Sequence, residues 1–400
     1  MRCLYAEAVS VATARYAERL LALVGRRGAF LESAPDPREE WAESGAMSLT
    51  GWPDGPALAV AGPAVAMRGA LLALSVLAPH VTLPGLELLG ERAAISGLTR
   101  RGSTSCGGGT RMFPALDGVV ALTLSRQEDV ELVPALVEAE VGDPWSAIAI
   151  WLQGTASADA RDRAVLLGLP CSIVGERAPG DPWTTSHEHK GPVPERPLVV
   201  NLAPLWAGPL CASMLGMLGS RVVKVEDPRR PDGARRGPRA FFDLLNAGSS
   251  SVSVDLAGPE LRDLLARADV VIEGSRPRAL RNVGIDVEAW VEEHDVTWVS
   301  ITGHGRDQDR VGFGDDAAAA GGLVAAGCFL GDAIADPLTG IHAALAAWAG
   351  VLQGGGRLID VSLAGVAASA AGCDSTLGSW IGPVAKPRAR SFRGSGPELA

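Results

Sequence analysis

The stretch that decides the fold is PLVVNLAPLWAGPLCASMLGMLGSRVVKVEDP, residues 197–228. A short apolar run, LVVNLA, leads into a helix-length segment of Ala, Leu, Met and Gly, and a second apolar run, RVVKVE, follows. Short runs apolar on both faces, joined by a helical segment, predict two buried parallel strands with a crossover helix. The rhythm continues toward the C-terminus. SVSVDL, DVVIEG, TWVSIT and RLIDVSL read as further strands, with PELRDLLARA and the run from Val287 to Glu293 as helices between them. The predicted fold class is α/β, a mostly parallel sheet covered on both faces by helices. Ligands of such sheets bind at the carboxyl ends of the strands. The first strand-to-helix turn has no G-x-G-x-x-G, and Glu226 supplies only half of that fingerprint, so a dinucleotide cofactor is not expected. No G-x-x-x-x-G-K-[ST] loop occurs either.

Within this region GDAIADPLTGIH, residues 331–342, places Asp336 just ahead of a long Ala/Leu helix, GIHAALAAWAGVL. A carboxylate there has two readings: it caps the free N–H groups of the first turn, or it does chemistry. The Ala/Gly-rich run before it, DDAAAAGGLVAAG, lets a ligand approach the backbone closely and keeps the second reading open. A weaker copy of the same pattern lies upstream. In SGAMSLTGWPDGPALAVAGPAVAMRGALLALSVLA, residues 44–78, Gly69 corresponds to Gly340, and Val65 stands where the later copy has Asp336.

Outward from these two helices, residues from about Ala6 to Val24 have apolar residues at helical spacing. Glu7, Arg15, Glu18 and Arg19 within that pattern give no charged leader followed by an apolar block, so no secretory signal is expected. GSTSCGGGTRMFPALDG carries Gly107, Gly108 and Gly109 ahead of a strand-like VVALTLS, and reads as either a flexible hairpin loop or a mobile flap. The Pro/Gly-rich stretch GERAPGDPWTTSHEHKGPVPERP lacks apolar periodicity and reads as a linker, residues 176–196. The expected organisation is a helical segment at 1–40, a smaller α+β region at 41–175, the linker, the sheet domain at 197–372 and a tail at 373–400.

Of the 400 residues 47% are hydrophobic and 20% charged, enough apolar surface for a substantial core. A formal net charge of −10 argues against a general nucleic-acid binder. The six cysteines form no C-x-x-C pair, which indicates neither a zinc site nor a disulfide framework, and a reducing cytoplasm is the expected setting. Charge or glycine interrupts each apolar helix before membrane-spanning length, so no membrane segment is expected.

Several motifs in consistent order then carry a resemblance. Residues 197–228, FFDLLNAGSSSVSVDLAGPELRDLLARADVVIEGSRPRALRNVGID, VSITGHG, DAIADPLTGIHAAL and RLIDVSLAGVAASA resemble the Rossmann-like half of the family III CoA-transferases, the group of formyl-CoA and carnitine CoA-transferases. GSTSCGGGTRMFPALDGVVALTLS, WSAIAIWL and LLGLPCSIV are similar to that family's smaller domain. The family's order is reversed here, so the chain reads as circularly permuted or as two truncated units fused.

The resemblance implies a CoA-transferase moving CoA between an acyl-CoA and a carboxylic acid, with CoA thioesters as substrates and no permanently bound cofactor or metal. Asp336 takes the place of the family's acyl-carrying nucleophile, and Gly107, Gly108 and Gly109 that of its glycine flap. Trp206, Ala207 and Val254 fall at CoA-contacting positions, Arg276 and Arg278 near its phosphate and pantetheine contacts, and Asp315, with its neighbour Asp316, near a residue lining the CoA channel. Asn282 and Asp227 replace family arginines. Arg229, Arg230, Arg235, Arg236 and Arg239 are the nearby substitutes, or a solvated basic loop. His304 and His342 are the histidines near the proposed site. An acyl-CoA racemase of the same fold is an alternative that lacks its histidine, since Phe313 stands near that position. A CoA-binding or partner-binding protein without turnover is another. A homodimer is expected on the family's pattern, with a pseudo-symmetric monomer as the alternative. Neither donor nor acceptor acid follows from the sequence.

Overall fold

The computed structural model describes residues 9–33, 36–187, 190–374, 376–378 and 380–399. Cys3 and Glu7 of the sequence reading lie outside them. Helix α1, Val11–Leu23, starts where the Ser10 hydroxyl accepts the Thr13 N–H at 3.1 Å. It is flanked by two-residue strands, Val9–Ser10 and Glu32–Ser33, which pair in parallel. Helix α2, Gly62–Leu77, lies against α1.

A small antiparallel sheet follows, made of β1 (Thr110–Pro114), β2 (Val119–Thr123) and, after helices α3 (Pro144–Gln153) and α4 (Ser157–Leu166), β3 (Cys171–Ile173). Val120 and Leu122 of β2 and Ile148 and Leu152 of α3 build its own core. This is the smaller α+β part read from the sequence. The stretch read as a linker is not free of structure: Thr184–Ser186 forms β4 and joins the main sheet.

The main sheet takes its other strands in chain order: β5 (Leu198–Asn201), β6 (Arg221–Glu226), β7 (Ser250–Ser253), β8 (Val270–Glu273), β9 (Thr297–Thr302) and β10 (Arg357–Ser362). Their spatial order is β7-β6-β5-β8-β9-β10-β4. All neighbours are parallel except β4, which runs antiparallel on the β10 edge. Successive strand residues face opposite sides. Val199 therefore joins the core on one side, and Val200 packs with Leu261 of α7 (Pro259–Leu265) and Val291 of α8 (Val287–His294) on the other. The first side carries α5 (Ala207–Met217), α10 (Ala335–Leu352) and α11 (Leu363–Ala371), with α6 (Arg239–Asn246) next to α5 and α9 (Gly314–Ala320) next to α11. Leu20 of α1 and Met67 of α2 belong to that same apolar cluster. The N-terminal helices are thus walls of the sheet domain's core.

The chain order leaves β5 in one direction to form β6 and β7 and resumes on its other side with β8. That reversal opens a crevice between the carboxyl ends of β5 and β8. The C-terminal residues cross the outside as a strap. Ala385 donates to the Ala42 carbonyl at 3.0 Å, the Arg390 N–H bonds Glu91 at 3.2 Å, and the Gly396 N–H bonds Asp243 of α6 at 2.8 Å. Among the described residues no helix is long and apolar enough to cross a membrane.

Candidate active site

Helix α10 begins at Ala335, with Ile334 in the capping position and no side-chain cap. Asp336 is the second residue of the helix, not its cap, so its carboxylate remains available while sitting where the helix dipole favours negative charge. The turn delivering it is built at some cost: Ala333 has φ of 43°, a left-handed conformation that disfavours a residue with a Cβ by about 1–2 kcal/mol. Asp315 on α9 holds that turn by accepting the Ala333 N–H at 2.9 Å. Opposite, Gly314 leaves bare backbone: a Cβ there would lie 2.2 Å from Asp336 Oδ2. Asp336 is half-buried, whereas the Asp315, Asp316 and Asp332 side chains around it are buried.

Three carboxylates, Asp332, Asp315 and Asp336, act on one cation that the sequence reading missed, Arg92. Its Nε reaches Asp332 Oδ2 at 2.8 Å and its Nη2 reaches Oδ1 at 2.5 Å. Burial opposes the Arg92 charge, but Asp332 more than offsets it, with Asp315 and Asp336 adding to the effect, so the guanidinium stays charged. Burial pushes Asp336 up to about 7, with Arg92 pulling back and Asp315 and Asp332 pushing further. Burial likewise raises Asp315 to about 6 and Asp316 to about 7. Asp316 is held by the Thr123 hydroxyl at 3.0 Å and the Phe313 N–H at 2.9 Å, so its role is to join α9 to β2.

The glycine run meets the same cation. A Cβ on Gly107 would stand 3.6 Å from Arg92 Nη2, and Gly108, at φ of 82°, completes a turn in which its N–H bonds the Ser105 carbonyl at 2.9 Å. Arg92 also lies over the Trp206 ring, 5.4 Å from its centroid. Trp206 is 2% exposed and meets Phe241 edge to face, so it forms a wall. Ala207, also buried, opens α5, and its carbonyl is 2.9 Å from where a Gly340 Cβ would be, which brings α5 and α10 into close contact.

At the crevice, Leu205 takes φ of 69° and gives its N–H to Asp232 at 2.9 Å, itself held by buried Lys224 at 2.7 Å. Arg276 and Arg278 follow β8 and share Asp309, at 4.0 and 2.9 Å. Burial first, then Arg278, Arg126 and Arg230, hold Arg276 below its ordinary value against the pull of Asp309, so three further guanidiniums act on its charge. Arg126, from the small domain, was not anticipated. Of the five basic-loop arginines, Arg229 is engaged by Asp227 and Asp255, Arg235 by Glu226, and Arg239 by Asp243 and Glu398. Val254 lies half-buried just past β7, its N–H on the Glu226 carbonyl, and Asn282 ends the short helix Pro277–Asn282.

The two histidines are placed differently from Asp336. His342 is fully buried, with Nε2 2.8 Å from the Tyr16 hydroxyl and Nδ1 2.7 Å from the Leu338 carbonyl, and burial lowers it to about 4. It is a neutral core residue tying α1 to α10. His304 is buried beyond the end of β9.

The class defined here is an α/β fold: a mostly parallel sheet covered by helices, with a crevice at its reversal and a carboxylate raised by burial at a nearby helix start. The chain belongs to the CoA-transferase family III, whose model matches residues 197–396. It is 30% identical over 203 residues to the succinyl-CoA–D-citramalate CoA-transferase of Chloroflexus aurantiacus, covering 42% of this chain and 50% of that protein. It is 31% identical over 191 residues to the human succinyl-CoA:glutarate CoA-transferase, covering 41% and 44%. The chain thus spans about half the length of the curated relatives it matches. Among solved structures, a CAIB/BAIF family protein from Brucella suis is similar at 28% identity and a TM-score of 0.41, covering 46% of this chain and 56% of that one.

Proposed function

We propose that this protein transfers CoA from an acyl-CoA to a carboxylic acid with Asp336 as nucleophile. The observation that carries this reading is the uncapped, half-buried Asp336 carboxylate in the first turn of α10, facing the bare backbone of Gly314. An Asp336 oxygen attacks the thioester carbonyl, the C–S bond breaks, and a mixed anhydride and CoA thiolate result. The thiolate then attacks the aspartyl carbonyl, releasing the donor acid and leaving CoA on Asp336 as a thioester. The acceptor carboxylate attacks that thioester, freeing thiolate and forming a second anhydride. Thiolate attack on the acceptor's carbonyl gives the new acyl-CoA and restores Asp336. Each step develops negative oxygen beside Arg92 and the Gly107–Gly109 turn, groups suited to stabilising it.

For CoA itself the reading places the phosphates on Arg276 and Arg278, with Arg126 and Arg230 adjoining, and the pantetheine along Trp206, Ala207 and Asp315. The donor class is proposed as short dicarboxylic acyl-CoA, after the named substrates of the similar proteins. The chain is further proposed to hold two family units, the first with Val65 in place of the nucleophile, and so one reactive acid per chain. Incubating the protein with succinyl-CoA and then hydroxylamine or borohydride, followed by peptide mass analysis, tests this. Modification of Asp336 is expected, and an unmodified Asp336 alongside measurable turnover rules the mechanism out.

A further inference from the structure

Away from Asp336, a cleft of ≈ 370 Å³ opens where the small domain meets the loop after β9. Arg161 on α4, Glu176 and Arg177 after β3, and His304, Gln308 and Arg310 after β9 line it. Its charges do not balance. Glu176 takes Arg161 at 3.0 Å and Arg310 at 2.6 Å, and Asp162 takes Arg161 at 2.7 Å. Arg177 is exposed and, among the described residues, its guanidinium has no ion pair or hydrogen bond. Three guanidiniums thus face two carboxylates, and the unpaired one is the exposed Arg177.

His304 adds a second, independent sign. It is 4% exposed, and its Nε2 is buried without a hydrogen-bond partner among the described residues. A buried polar atom left unpaired costs about 1–3 kcal/mol, so a protein retaining one commonly has a use for it. Burial, with Arg310, Arg177 and Arg161 next in order, lowers His304 to about 3. The imidazole is therefore neutral across the physiological range, chiefly through burial, and the charge facing an anion comes from the three guanidiniums around it.

We propose that this cleft binds a small oxyanion, a phosphate or carboxylate group, through the Arg177 guanidinium with Arg161 and Arg310 beside it, separately from Asp336. Planar guanidiniums match both groups with paired N–H donors. The space suits a small acid or a phosphate and not a whole CoA molecule. The loop that sends Arg310 into the cleft also sends its neighbour Asp309 to Arg276 and Arg278, so one short segment touches both places.

Calorimetric titration of the full chain with inorganic phosphate, and separately with succinate, in a zwitterionic buffer without chloride tests the proposal. Saturable binding of at least one of them at one per chain is expected, and the tighter of the two identifies the source of the oxyanion. Arg177→Gln should weaken it about tenfold, the scale of one charge-assisted hydrogen bond. Arg278→Gln and Asp336→Ala should leave it unchanged, so the result is independent of the transferase reading. Arg177 is exposed, and an unaltered melting temperature of Arg177→Gln checks that the variant folds. No binding at millimolar concentrations overturns the proposal. So does unaltered affinity in Arg177→Gln, or a loss in Arg278→Gln, which would place the ion at the crevice.

Discussion

Helices α2 and α10 share one sequence pattern around a glycine, and the chain sets different side chains at the matching position. Each follows an Ala/Gly-rich approach and crosses a partner helix at a glycine. A Cβ on Gly69 would meet Tyr16 of α1 at 2.8 Å, and one on Gly340 would meet the Ala207 carbonyl and Leu210 of α5 at 2.9 Å. The partners match as well, since α1 is flanked by the parallel pair Val9–Ser10 and Glu32–Ser33 as α5 is flanked by β5 and β6. At the equivalent position one helix has Val65, fully buried in the apolar cluster, and the other has half-buried Asp336. The comparison teaches that the glycine crossing and the apolar face pack such a helix whether or not it carries a carboxylate at that position.

The sharpest way to break this comparison is to exchange the two residues. Asp336→Ala should lower turnover by ~10³-fold or more while CoA binding measured by calorimetry persists. Val65→Asp, added to it, should not restore turnover. In its apolar surroundings the new carboxylate has no partner, and the expected cost is about 3–5 kcal/mol in chemical denaturation.

Arg92 is the next difference between the copies. Rate against pH should rise through an inflection near 7, because burial places Asp336 there and the attacking form is the carboxylate. Arg92→Gln should move that inflection upward and lower kcat/KM by about 10–100-fold, with partial rescue by Arg92→Lys. An unmoved inflection separates a purely structural Arg92 from one that sets the Asp336 charge.

The glycine crossings test whether the scaffolds are equally tight. Gly340→Ala should cost about 1–3 kcal/mol, since it strikes a backbone carbonyl, and Gly69→Ala somewhat less, since it strikes mainly a ring. Thermal melts of both variants read this directly.

The smallest effect concerns pH and stability. Asp315, Asp316 and Asp336 are raised above their ordinary 3.8, chiefly by burial, so the folded state holds protons that the unfolded chain releases. Their contribution to stability is fully present below about pH 4 and lost as pH rises through about 6 to 7. Melting temperatures across that window should fall, and less steeply in Asp336→Asn.

The parallel sheet was legible because the cores of β5 and β8, Leu198–Val200 and Val270–Ile272, are continuous apolar runs, the mark of strands covered on both faces. β4 was not, because Thr184–Ser186 is short, polar and exposed, and pairs only along the sheet's edge. Asp336 stood out through its place before a helix glycine and through the family resemblance. Arg92 left no comparable trace: it meets Asp332 across 240 residues, and only tertiary packing makes them neighbours. The basic loop shows the same limit. Five arginines between 229 and 239 look alike in sequence, and only the fold distinguishes Arg229, Arg235 and Arg239, engaged by carboxylates, from Arg230 near Arg276.

The strap has a consequence for the order in which the molecule is assembled. Glu91 precedes Arg92 on the same short helix, is itself buried, and meets the guanidinium of Arg390, 299 residues later. During synthesis that helix emerges long before its counter-ion. The neighbourhood of Asp336 is therefore completed only once a segment 299 residues beyond Glu91 has been made.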